Sequence, residues 1–94
     1  MTKKIASFEL VQYGKANGIL EQDRPEYAYS AMGASRQTEK DALNNALEQL
    51  EKAGWDTKSL LDNPGFRTLA SLCIDATEQV EDGMYWYVTI YVKD

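Results

Sequence analysis

Residues 38–54, TEKDALNNALEQLEKAG, constrain the fold of this chain more than any other stretch, because every position in them agrees with one capped amphipathic helix. Thr38 offers a side-chain oxygen suited to an N-cap, and Asp41, three residues on, is a short-armed version of the capping-box acid. Ala42, Leu43, Ala46, Leu47 and Leu50 recur at the three- and four-residue spacing that gathers apolar side chains into one stripe. Gly54 ends the run. Glu48 and Lys52 stand four apart in the favourable order on the wet side, and Lys52 suits the negative end of the helix dipole. A helix with one apolar stripe must bury it, so the flanks have to supply a covering layer.

Those flanks read as strands. Residues 4–13, KIASFELVQY, alternate Ala6, Phe8 and Leu10 with Ser7, Glu9 and Val11. A loop comes next, marked by Asn17-Gly18 and Pro25, with a short strand over residues 19–22. Residues 27–34, YAYSAMGA, form the second main strand. Beyond the helix, WDTKSLLDNPGF is a connection with one helical turn over 58–62, punctuated by Pro64-Gly65. Alternation then returns over residues 67–77, placing Ala70, Leu72, Ile74 and Ala76 opposite Ser71, Cys73, Asp75 and Thr77, which predicts a third strand. Glu81-Asp82-Gly83 predicts a hairpin turn into MYWYVTIYV, residues 84–92, the most strand-prone segment of the chain. The expected fold is α+β, a single antiparallel sheet in the order β-β-α-β-β with one amphipathic helix packed on one face. At 94 residues the chain has material for one small core, so residues 1–94 are expected to form a single domain.

Charge narrows the partners. Fifteen acidic against ten basic residues give a net charge of −5, and eleven of the acids lie in residues 37–94 beside five of the bases. Such a surface repels a phosphate backbone, which disfavours direct nucleic-acid binding, and it steers the chain toward a protein partner with a basic surface, solubility being the competing use of the same charge. The N-terminus carries Lys3 and Lys4, but Ser7, Glu9 and Gln12 keep the next residues from forming a long apolar run, so no signal peptide is expected. No window approaches the roughly 18 apolar residues of a membrane span, and a chain with one cysteine and no histidine suits a reducing cytoplasm.

The same residue types argue against catalysis. Without histidine, acid-base work would fall to carboxylates, tyrosine or lysine, and no apolar flanking singles out a tuned pair of acids. Cys73 has no histidine to activate it and reads as a buried, inert thiol. GKANG, residues 14–18, lacks the spacing and the adjoining helix of a phosphate loop, and DNPG, residues 62–65, lacks the acids of a calcium loop. No enzyme activity, cofactor or metal site is expected.

Two candidate partner-binding surfaces remain. One is the acidic outer face of the helix and its exit, Glu48, Glu51 and Asp56. The other is the last strand, whose alternation assigns Trp86, Val88, Ile90 and Val92 to the core and leaves Tyr85, Tyr87 and Tyr91 with Thr89 on the opposite face. Tyrosine is enriched at protein interfaces, and cross-strand aromatic pairing within the sheet is the competing use of such a face. Were the last strand at a sheet edge, pairing with its own copy would give a symmetric homodimer.

The run GASRQTEKDALNNALEQL, residues 33–50, entered from a strand, resembles small phage-encoded anti-CRISPR proteins that inhibit type I surveillance complexes, through Gly33-Ala34, Thr38-Glu39-Lys40, Ala42 and Ala46-Leu47. That resemblance implies a short, acidic, non-enzymatic inhibitor that acts in the host cytoplasm by binding a protein complex, in some members by occluding a nucleic-acid groove. The run is also similar to HicB-type antitoxin domains, in which strands lead through a Gly and Thr segment into a helix with paired alanines and leucines. This second resemblance implies an antitoxin-like regulatory domain that neutralises a small basic toxin. The chain departs from the HicB pattern in the strand and turn before the helix and in the aromatic segment after it.

Overall fold

The structure of the protein, a computed structural model, describes residues 2–17, 25–77 and 80–94. Along them run β1 (Ser7–Ala16), β2 (Tyr29–Ser35), α1 (Glu39–Lys52), α2 (Thr57–Leu61), α3 (Pro64–Ser71) and β3 (Tyr85–Lys93). The strands make one antiparallel sheet in the spatial order β1-β3-β2. The α+β class therefore holds, while the expected order and the lone helix do not: the described residues contain three strands and three helices. The short strand expected over residues 19–22 lies outside the described residues.

The helix read from residues 38–54 forms as its sequence dictates. Thr38, in extended conformation, accepts a hydrogen bond from the Asp41 amide at 2.9 Å, which caps the first turn. At the other end Gly54 takes a φ of +93°, and the Trp55 amide reaches back to the Leu50 carbonyl at 3.0 Å. Only a residue tolerant of the left-handed region closes a helix in this way. Ala42, Leu43, Ala46 and Leu50 are buried, and they meet Ala31 of β2 with Val88, Ile90 and Val92 of β3 in one core.

One position fixes how closely helix and sheet approach. A Cβ added to Gly33 of β2 would collide with the Ala42 carbonyl oxygen and stand 2.6 Å from the Ala46 nitrogen. The backbone of α1 thus rests on the backbone of β2, with Ala42 and Ala46 as the small side chains that let it descend. From the same helix Gln49 donates to the Met32 carbonyl at 2.7 Å, so α1 also satisfies a backbone acceptor of β2.

The stretch expected as a third strand, residues 67–77, is not one: its first five residues belong to α3 and the rest is irregular. Residues 66–74 carry two periodicities at once, and the helical one prevails: Phe66, Ala70 and Cys73 fall on one side at spacings of four and three. Phe66 and Cys73 are buried, and Ala70 packs partly buried against the same cluster. Leu72 and Ile74, which alternation assigns to the core, are instead 64% and 40% exposed. Asn63 decides the matter locally, since its side chain accepts from the Phe66 amide at 3.1 Å and Pro64 occupies the first turn, where its missing N–H costs nothing. Phe66 then meets Phe8 of β1 edge to face, with ring centroids 5.4 Å apart. Glu81-Asp82-Gly83 does turn, Met84 donating to the Glu81 carbonyl at 3.0 Å, but among the described residues no strand leads directly into it.

β3 lies in the middle of the sheet, flanked by β1 and β2. Self-pairing through an exposed edge of the last strand is thereby overturned, because both sides of that strand are hydrogen-bonded within the chain.

Gly33→Ala should lower folding stability by about 2–3 kcal/mol, the upper range for overpacking, because backbone rather than a flexible side chain must move. A lowered urea midpoint with unchanged slope would report it, and an unchanged midpoint would mean that α1 can lift off β2 freely. Asn63→Ala should cost about 1 kcal/mol through loss of the α3 cap, measured in the same titration.

Candidate functional site

The acidic residues singled out in the sequence stand where α1 ends. Glu48 and Glu51 are exposed on its outer side, one turn apart, and Asp56, half-buried, precedes α2. None of the three carboxylates forms an ion pair with a described residue. The exit is built by backbone bonding to the N-terminal segment: the Lys3 amide donates to the Gly54 carbonyl at 2.6 Å, and the Asp56 amide to the Lys3 carbonyl at 2.8 Å. This short parallel bridge buries Trp55. The Lys3 ammonium lies 5.3 Å from the Trp55 ring centre, and the Tyr29 ring lies 6.2 Å away on β2. A cleft of about 270 Å³ opens beside the indole, lined by Thr2, Glu51, Trp55, Asp56, Thr57 and Lys58.

The structure therefore brings Glu51 and Asp56 to one cleft and leaves Glu48 on the adjoining helix surface. Sequence reasoning missed Trp55, Tyr29 and Lys3 as neighbours of that cleft. A tryptophan directly after a helix-stopping glycine was the available signal for Trp55; Lys3 meets it only through tertiary pairing.

The tyrosines are on the other side of the sheet from α1, and they do not form one continuous surface. Tyr85 and Tyr87 are half-buried neighbours with ring centroids 6.1 Å apart. The Arg36 guanidinium stands 5.7 Å from the Tyr85 ring and pairs with Asp82 at 3.4 Å. Tyr91, further along β3, is only 5% exposed and packs against Tyr27 at 5.9 Å. Thr89 between them is 2% exposed. Tyr91 thus belongs to the packed part of this face, and the accessible aromatics are Tyr85 and Tyr87. A flat partner could not contact these and the acidic end of α1 together, since the sheet lies between them.

A third cluster joins elements instead of forming a surface. Glu39, buried at the start of α1, accepts from the Gln12 amide nitrogen of β1 at 2.9 Å and from the Ile74 backbone at 3.1 Å. The same Gln12 nitrogen donates to Cys73 Sγ at 3.3 Å, and the Lys40 amide donates to the Ile74 carbonyl at 2.9 Å. These bonds pin the segment after α3 to the first turn of α1. Burial pushes the Cys73 thiol up, the Glu39 carboxylate adds to this, and the Gln12 hydrogen bond and Lys40 oppose it. A thiol held protonated in this way is a poor nucleophile. Among the described residues, no group of three or more His, Cys, Asp or Glu is placed to hold a metal ion, and no helix is long and apolar enough to cross a membrane.

No protein-family model matches the chain, and no curated protein or solved structure matches it either.

The Cys73 environment has a pH signature. The folded thiol binds its proton more tightly than the unfolded one, so its contribution is complete below the unfolded value and is lost as pH rises through the unfolded and then the folded value. The window is alkaline, beginning near the ordinary thiol value of 9.0. Urea midpoints of the wild type should therefore fall more steeply above that pH than those of Cys73→Ala; parallel pH profiles would show that the thiol is not held protonated.

Proposed function

We propose that the protein is a non-enzymatic binding module that docks the acidic end of α1 on a basic surface of a host protein complex, as an anti-defence inhibitor of the anti-CRISPR kind. One observation carries the reading: around the end of α1, Glu48 and Glu51 are exposed and Asp56 is half-buried, and none forms an ion pair with a described residue, so their charge remains available to a partner. Unpaired exposed carboxylates steer association with a cationic surface and set its salt dependence. The cleft that Glu51, Trp55 and Asp56 line also holds Lys58, so its two carboxylates outnumber its one cation. Tyr85 and Tyr87 form a smaller, separate contact region under this reading.

Expression in a host whose type I CRISPR system targets a phage should restore plaque formation, and the wild-type chain should retain a subunit of that complex at low salt. Reversal of Glu48, Glu51 and Asp56 to lysine should weaken retention about tenfold or more, the range for losing interfacial charge pairs, and abolish the plaque phenotype. Plaque counts that stay at the immune level with the wild-type chain would reject the inhibitor reading. Rescue of cells from a small basic toxin encoded beside the gene would replace it with the antitoxin alternative.

A further inference from the structure

The sheet has two outer strands, and the sequence treats them differently. β1 breaks register with β3 between Gln12 and Gly14, and it carries Glu9 and Lys15. A bulge and charged side chains are two of the means by which an edge strand is kept from pairing with a foreign one. β2 has neither. Its seven residues, YSAMGAS, hold no charge and no proline, and they pair with β3 in unbroken register. Among the described residues β3 is the one strand hydrogen-bonded to β2, so the other side of β2 is a regular, uncharged edge.

What meets β2 comes from α1. Gln49 Nε2 donates to the Met32 carbonyl, midway along the strand, at 2.7 Å. The same nitrogen donates to Asn45 Oδ1, one turn back on the helix, at 2.9 Å. A side-chain amide nitrogen carries two hydrogens, and both are engaged here, so the amide is held in one orientation. The close seat of α1 on Gly33 brings the helix within reach of the strand backbone.

We infer that Gln49 is a guard that closes the β2 edge: its amide stands in for the N–H of the strand that is missing there, and Asn45 holds it in place. An extended segment adding to this edge would gain its affinity from main-chain hydrogen bonds. To bond the Met32 carbonyl it must first displace Gln49, which exchanges one hydrogen bond for another and leaves little net gain. With the glutamine amide removed, the same carbonyl becomes an open acceptor in the middle of an uncharged strand, and a second copy of the chain offers the matching edge. The two edges are thus protected by different means, β1 by its own residues and β2 by a residue of the helix above it. This inference uses the fold alone and does not depend on the proposed function.

Sedimentation velocity over a range of protein concentrations, with infrared spectra to detect β-structure between molecules, tests this on the purified chain. Gln49→Ala should remain folded by circular dichroism, since alanine favours the helix. It should associate through intermolecular β-structure at concentrations about tenfold or more below any at which the wild type does, the factor that freeing one hydrogen-bond acceptor represents. Asn63→Ala, which weakens folding without touching β2, should behave as the wild type. Ala34 is exposed on β2, and a lysine there blunts the edge directly, so Gln49→Ala combined with Ala34→Lys should return the chain to the monomer. A Gln49→Ala chain that associates no more than the wild type overturns the proposal. So does equal association of Asn63→Ala, which would make lost stability the cause, or association of Gln49→Ala that Ala34→Lys leaves unchanged.

Discussion

The meeting of Gly33 with Ala42 and Ala46 sets the geometry on which the remaining structure depends. Most helices ride on a sheet at a height fixed by interlocking side chains; here the backbones touch at one place, and a single extra carbon on the strand has nowhere to go. That contact fixes the height of α1 over β2 and β3. It also places Gln49 within reach of the Met32 carbonyl, and Leu50 against the central strand. The glycine is in ordinary extended backbone, so its value lies in missing volume and not in conformational freedom.

From that seat the helix distributes the chain's chemistry. Its first turn receives the Gln12 and Ile74 contacts through Glu39, and the same Gln12 also donates to Cys73, which ties β1 and the segment after α3 to one buried carboxylate. Its last turn passes through Gly54 into the bridge with Lys3, where Trp55 is buried, Glu51 is exposed and Asp56 is half-buried beside the cleft. One end of α1 is thus a structural knot, and the other is an exposed charged rim. A buried carboxylate with two donors is costly to disturb, whereas exposed carboxylates contribute little to folding and are free to serve recognition.

The legible and illegible parts of the sequence divide along physical lines. Local signals were reliable wherever several agreed: cap, stripe and stop for α1, and alternation in an unbroken aromatic and β-branched run for β3. Residues 66–74 satisfy two periods at once, and Pro64-Gly65 before them has the letters of a break. Taken as an Asn63 cap with Pro64 at the first helical position, the same letters start a helix. The central place of β3 had no local signature at all, since strand order is decided by pairings across the whole chain. The candidate site divides in the same way. The exposure of Glu48 and Glu51 came from helical periodicity, but the burial of Tyr91 and the approach of Tyr29 and Lys3 to Trp55 arise from long-range packing.

The place of β3 also governs the order in which the sheet can come into being. Within the sheet β1 and β2 are not paired with each other; each is hydrogen-bonded to β3, and the register pairs Ser7 with Lys93. During synthesis both outer strands, and all three helices, leave the ribosome before the strand that unites them. Until β3 emerges the sheet is incomplete, so α1 has only β2 to rest on and the edges of two strands are unpaired. Folding must therefore close a loop of nearly the full described length, and long-range pairing of that kind forms more slowly than local contacts.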